Sequence, residues 1–172
     1  MDRRWFASAL ILVLAGVLVV GVFITRAQVL AAPRQPVAYS HQKHAEAGVQ
    51  CLFCHTSALH SDIAGVPSVQ KCMGCHTTIA ADKSAIRTLA GYWERREPIP
   101  WIRVNKQPDF VYFSHQAHLA AGVNCENCHG NVGEMAITQP DKKMDMGWCL
   151  KCHLEQSEEK QARLLDCLTC HK

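Results

Sequence analysis

The chain has 172 residues with ten cysteines, ten histidines, a formal charge of +3, 48% hydrophobic and 19% charged residues. That composition excludes a disordered tail or an acidic solvating protein, and 18 Lys and Arg against 15 Asp and Glu, with no dense basic run, exclude a polybasic nucleic-acid binder. The length allows about one domain, of which roughly 145 residues lie beyond a single N-terminal apolar segment and carry every Cys and His.

That segment, Trp5 to Thr25, reads WFASALILVLAGVLVVGVFIT and carries no charge. Its 21 residues, coiled as a helix, reach across the hydrocarbon core of a bilayer. A secretory signal has a shorter apolar region of about 7 to 15 residues, and here Arg26 interrupts the small-residue tract AQVLAA where cleavage would fall. An uncleaved anchor in contact with membrane lipid is the expectation, and a cleaved signal the alternative. Arg3 and Arg4 hold the N-terminus in the cytoplasm, which makes the protein single-pass in the cell membrane with all that follows Arg26 periplasmic. The span holds no ionisable group, so it cannot handle the protons of a quinol.

After a Pro-containing linker the cysteines fall in five pairs, each CxxC and each followed at once by His. We number them as sites: Cys51, Cys54 and His55 (site 1); Cys72, Cys75 and His76 (site 2); Cys125, Cys128 and His129 (site 3); Cys149, Cys152 and His153 (site 4); Cys167, Cys170 and His171 (site 5). CxxCH is the attachment motif of c-type haem. On a helical turn the two Cys share a face, so both can form thioethers to one porphyrin, and the His behind them points at the iron as proximal ligand. Zinc ribbons and disulfide scaffolds use similar Cys spacings, but neither requires a His after every second Cys. The cofactor expectation is five covalently bound haem c.

Residues 40 to 55, SHQKHAEAGVQCLFCH, repeat at 114 to 129 as SHQAHLAAGVNCENCH, with ten of sixteen positions identical. A second CxxCH follows in each half, and a third in the second half. The division is an anchor and linker (1–36), a two-haem module plus connector (37–107) and a three-haem module (108–172). About thirty residues per haem cannot build an ordinary apolar core, so the porphyrins must supply much of the buried surface. The expected fold is mostly irregular, with short α-helices carrying the motifs, Gly and Pro loops between them, and one N-terminal transmembrane helix. Trp93 and Trp101 in the connector are read as core or interface aromatics.

The repeated (Y/F)-S-H-x-x-H ahead of CxxCH resembles class III multihaem cytochromes c, and the last 65 residues resemble their small trihaem members. That resemblance implies that the first His of each pair ligates the nearest following haem and the second reaches another. His41 would then serve site 1, His44 site 2, His115 site 3 and His118 site 4. For site 5, counting histidines offers His60, whereas the resemblance offers Met146 or, less favoured, Met144; Met135 is a further candidate. A Met ligand would raise the potential relative to two His.

With both axial positions filled, no catalytic residue is expected and the function is electron transfer; the CxxCK motif usual at an open catalytic haem is absent. From the anchor through CHTSA…AGVPSVQKCMGCH, PIPWIRV, PDFVYFSHQAH and MGWCLKCH, the chain resembles the pentahaem subunit of alternative complex III. The resemblance implies an integral quinol-binding subunit, an iron–sulfur subunit and a monohaem cytochrome as partners, and a soluble or membrane electron acceptor. The alternative is a stand-alone quinol dehydrogenase, like the anchored tetrahaem cytochromes that feed periplasmic nitrate or nitrite reductases. That would need a protonatable group beside a membrane-proximal haem, such as Glu46 or Asp62.

Overall fold

The computed structural model describes residues 3–30 and 32–171, with side chains of the first helix described from Ser8 to Phe23. It divides into two compact units, Met1–Ala32 and Pro33–Lys172.

The first unit is one helix, α1 (Arg3–Leu30), whose described side chains are exposed, among them Leu12, Leu18 and Phe23. The span expected over Trp5–Thr25 reaches beyond those side chains at both ends. Among the described residues no helix is long and apolar enough to cross a membrane.

The second unit is built from short helices: α2 (His41–Glu46), α3 (Cys51–Cys54), α4 (Val69–His76), α5 (Ser84–Arg95), α6 (His115–Ala120), α7 (Cys125–His129), α8 (Met146–Leu154), α9 (Glu158–Leu164) and α10 (Cys167–Cys170), with 3₁₀ turns at Thr56–Leu59 and Val132–Glu134. Among the described residues there is no strand, only an isolated antiparallel bridge between Val111 and His171. Local chemistry sets the helix starts. Ser40, Ser68 and Ser114 accept at Oγ from the backbone N–H three residues on (3.3, 3.3 and 3.4 Å), and Asp145 accepts from Trp148 N–H (3.0 Å), each satisfying a donor that the helix leaves open. The two HxxH helices also stop alike. Gly48 and Gly122 take φ of +80° and +77°, and the N–H groups of Val49 and Val123 close back on the carbonyls of His44 and His118, which ends α2 and α6 soon after the second His, at Glu46 and Ala120.

The repeat halves are interlocked. Helix α2 packs on the 3₁₀ turn Val132–Glu134, and α6 packs on the 3₁₀ turn Thr56–Leu59. Gln42 N–H donates to the Met135 carbonyl (3.1 Å) and Gln116 N–H to that of Ser61 (3.2 Å). Each HxxH helix is thus seated on the turn behind the other half's first CxxCH.

The apolar core is small. Val37, Met73, Leu89 and Ile99 form one buried cluster, with Val69, Ile86, Tyr92 and Trp101 packed against it. Helix α5, which carries no Cys, presents Ile86, Leu89, Ala90 and Trp93 at helical spacing, and Leu89 packs into this cluster while Trp93 remains exposed. Every buried hydrophobic among the described residues precedes residue 100. The segment 111–171 therefore has no core of its own side chains.

Candidate haem sites

All ten cysteines lie on helices, α3, α4, α7, α8 and α10, and none is in a disulfide. At spacing i, i+3 the two thiols of each motif share a face. Among the described residues no group of three or more His, Cys, Asp and Glu is arranged to hold a metal ion by itself.

The imidazoles come in pairs. Ring centres of His41 and His55 are 6.4 Å apart at an interplanar angle of 14°. Those of His115 and His129 are 6.4 Å apart at 3°, and those of His118 and His153 6.2 Å apart at 26°. His44 and His76 are 5.9 Å apart with their planes at 75°. A ring nitrogen bound to a metal at about 2.0–2.1 Å, with the ring centre about 1.1 Å beyond it, puts two imidazoles on opposite sides of one metal about 6.3 Å apart, centre to centre. The four spacings fit haem iron between the rings, with the CxxC thiols beside each pair to hold the porphyrin.

A second layer orients these rings. His44 and His118 set Nδ1 against the carbonyls of Ser40 and Ser114 (both 2.8 Å). His55 faces Gly65 O (2.7 Å), His76 faces Ile79 O (2.9 Å) and His153 faces Leu164 O (3.3 Å). His115 faces Asp62 O (2.7 Å), His41 faces Thr138 Oγ1 (2.7 Å), and the Asn105 amide lies 3.1 Å from His129 Nδ1. A carbonyl opposite Nδ1 fixes the tautomer with its proton there and leaves Nε2 free for a metal. Burial, followed by His55 and His44, brings the pKa of His41 down to about 4; burial, followed by His115 and His55, lowers that of His129. Both shifts favour the neutral imidazole, the form able to bind a metal.

Aromatic rings brace the pairs. Tyr39 stacks on His44 (4.6 Å, 25°) and meets His41 edge-on (4.8 Å); Phe113 repeats this with His118 (4.5 Å, 28°) and His115 (4.9 Å). Burial, then the thiols of Cys54, Cys72 and Cys51, push the Tyr39 hydroxyl up to about 12, so it stays protonated between sites 1 and 2. Trp101 meets Tyr39 edge-on (6.3 Å) behind this brace.

Thiol neighbours give the sites an order. Burial raises each of the following thiols first, and neighbouring thiols add to it: Cys54 acts on Cys72, Cys51 on Cys125 through a side-chain hydrogen bond as well as charge, Cys149 and Cys152 on Cys128, and Cys170 on Cys149. The adjacencies run 2–1–3–4–5.

Site 5 differs. Among the described residues no second imidazole stands opposite His171, whose ring neighbour is Phe110 (5.8 Å), and its backbone is tied down by the bridge to Val111. Met146 is the first residue of α8 and 62% exposed. The Met144 carbonyl accepts from Gln107 Nε2 (3.3 Å), that of Met135 accepts from α2, and His60 is exposed at the end of the turn Thr56–Leu59. Sequence reasoning missed Asn105 and Thr138, for which no motif exists. It also missed the brace, although Tyr39 and Phe113 occupy equivalent repeat positions.

Residues 111–172 match the family described as cytochrome c7 and related cytochrome c, and residues 22–98 match the class III cytochrome c family. The chain is also similar to the multihaem cytochrome c subunit of a menaquinone reductase from Nitratidesulfovibrio vulgaris, 30% identical over 161 residues, which cover 80% of this chain and 77% of that protein. The chain belongs to this class III and c7-type family of multihaem cytochromes c.

Proposed function

We propose that this chain is the pentahaem electron relay of a membrane quinone-oxidoreductase complex of the alternative complex III kind. In this reading it is anchored by α1 with its N-terminus in the cytoplasm, and Pro33–Lys172 is periplasmic. The observation that carries the reading is the set of four imidazole pairs with centres 5.9 to 6.4 Å apart, each beside its own pair of thiols. When bound, haem c supplies a one-electron couple. At sites 1 to 4 the paired imidazoles would hold the group and leave a substrate no access to it, and the chain would keep the five sites in series from site 2 to site 5. The work is then outer-sphere electron transfer, not bond-making chemistry.

A quinone site must also take up or release protons. Trp5–Thr25 holds no ionisable group, so that chemistry falls to an integral partner, with an iron–sulfur subunit and a monohaem cytochrome completing the complex. In this reading quinol is oxidised and electrons leave to a periplasmic acceptor or an oxidase. A second reading, favoured by the name of the Nitratidesulfovibrio relative, a menaquinone reductase subunit, runs the same relay inward to quinone.

Purification in mild detergent tests both. The proposal expects a multi-subunit complex in which quinol reduces these haems, while the isolated chain is reduced by dithionite and only negligibly by quinol. A complex that reduces quinone from a periplasmic donor but does not oxidise quinol supports the second reading. Rapid, inhibitor-sensitive quinol oxidation by the chain alone overturns both in favour of a stand-alone dehydrogenase.

A further inference from the structure

Eight imidazoles are oriented through Nδ1, and the source of the partner divides them. At sites 2 and 4 every partner is a backbone carbonyl from the same stretch of chain: His44 uses Ser40, His76 uses Ile79, His118 uses Ser114 and His153 uses Leu164. At sites 1 and 3 three of the four partners come from far away. Thr138 is 97 positions from His41, Asp62 is 53 from His115, and Asn105 is 24 from His129. Two of these, Thr138 and Asn105, are side chains. Both are half-buried, and they belong to the adjoining pair, where Cys51 touches Cys125.

We propose that Asn105 and Thr138 are positioning residues that set the ligand orientation and redox potential of sites 3 and 1, the third and second sites of the relay. This rests on the ligand assignment given above. With Nε2 on the metal, Nδ1 would carry the proton and donate it to Thr138 Oγ1 at site 1; at site 3 the Asn105 amide, whose nitrogen stands 3.1 Å from His129 Nδ1, would turn end for end so that its oxygen accepts. A stronger acceptor makes the imidazole more basic, which stabilises the oxidised iron and lowers the potential; removing the acceptor does the reverse. A neutral amide and a hydroxyl accept less strongly than a carboxylate, and both can be exchanged without disturbing the backbone. Carbonyl partners at sites 2 and 4 offer no such adjustment. Sites 1 and 3 can thus be tuned independently of sites 2 and 4.

The test is redox titration followed by optical and low-temperature electron paramagnetic resonance (EPR) spectra of the full-length holoprotein. Asn105→Leu is expected to move one of the five reduction steps upward and perturb one low-spin signal. Asn105→Asp, nearly isosteric, should move the same step downward, and Asn105→Gln should return it towards wild type. Thr138→Val should raise a different step, restored by Thr138→Ser. If Asn105→Leu fails to accumulate, the Asp and Gln variants carry the comparison. Five low-spin haems with all steps unmoved in the Asp, Leu and Val variants overturn this inference and leave the paired-imidazole reading standing. High-spin haem at sites 1 or 3 in the wild-type protein overturns the reading beneath it.

Discussion

His115 sets its Nδ1 against the carbonyl of Asp62 at 2.7 Å, and its backbone N–H donates to that same carbonyl at 3.2 Å. One residue of the first half therefore fixes both the backbone and the ring of His115 in the second. The reciprocal contact seats α2 on the turn Val132–Glu134. Sites 1 and 3 each depend on the other half for their geometry, whereas sites 2 and 4 are oriented from within their own segments.

Separating the halves should expose that dependence. Expressed apart, residues 33–107 and 108–172 are expected to lose low-spin character at sites 1 and 3 while sites 2 and 4 retain it. Co-expression of the two pieces should restore it. Magnetic circular dichroism in the near infrared, which counts axial ligand pairs, checks this.

The four pairs also differ in ring orientation. Near-parallel imidazole planes give ordinary rhombic EPR spectra, whereas near-perpendicular planes bring two iron d orbitals close in energy and give one large g value. With planes at 75°, His44 and His76 differ from the three pairs at 3° to 26°. One strongly anisotropic species is expected, and His44→Met should abolish it and no other.

The CxxCH motifs were legible in the sequence because covalent attachment of haem demands that pattern, whereas the HxxH segments were read only as ligand candidates, although the repeat preserves Ser40 and Ser114 as caps and Gly48 and Gly122 as stops of their helices. Helix α5 left an amphipathic trace in Ile86, Leu89, Ala90 and Trp93, obscured by the absence of any motif. The interlock left none. It is made largely by the carbonyls of Asp62, Ser61 and Met135, which every residue type carries equally, so its register depends on tertiary packing alone. Asn105 and Thr138 were hidden for a related reason: a single amide or hydroxyl in a loop has many ordinary uses.

Gly130 follows His129 directly, with φ 68° and ψ −170°, a region open in practice only to glycine. A Cβ there would lie 2.5 Å from Asp141 Cγ. Gly130→Ala should therefore lower stability by about 1–3 kcal/mol and disturb site 3 first, because the strain falls on the residue next to His129. Thermal unfolding gives the loss, and the EPR signal of the His115–His129 pair locates it.

Acid should act through His41. Its folded-state pKa of about 4 lies below the ordinary 6.5, so between these values the unfolded chain binds a proton that the native protein refuses. Its contribution to stability is full above about 6.5 and is lost as pH falls towards 4. Denaturation midpoints should decrease as the pH is lowered from 7 to 4. His41→Met should reduce that dependence.

Site 5 joins ligation to the direction of flow. Helix α8 begins at Met146 and carries Cys149, the thiol that neighbours Cys170, so Met146 starts the helix that runs beside site 5. His60 precedes Ser61 and Asp62, whose carbonyls hold α6, and that places it with the ligands of site 3. We therefore expect Met146 to be the sixth ligand of site 5. A thioether stabilises the reduced iron relative to imidazole and raises the potential, which would make site 5 the most positive of the five and the end towards which electrons run. Met146→Ala should remove the highest-potential step and turn one haem high-spin, and Met146→His should keep it low-spin at a lower potential. His60→Ala should leave all five low-spin. A high-spin haem produced by His60→Ala alone gives the ligand to His60 and removes the downhill end that this ordering assigns to site 5.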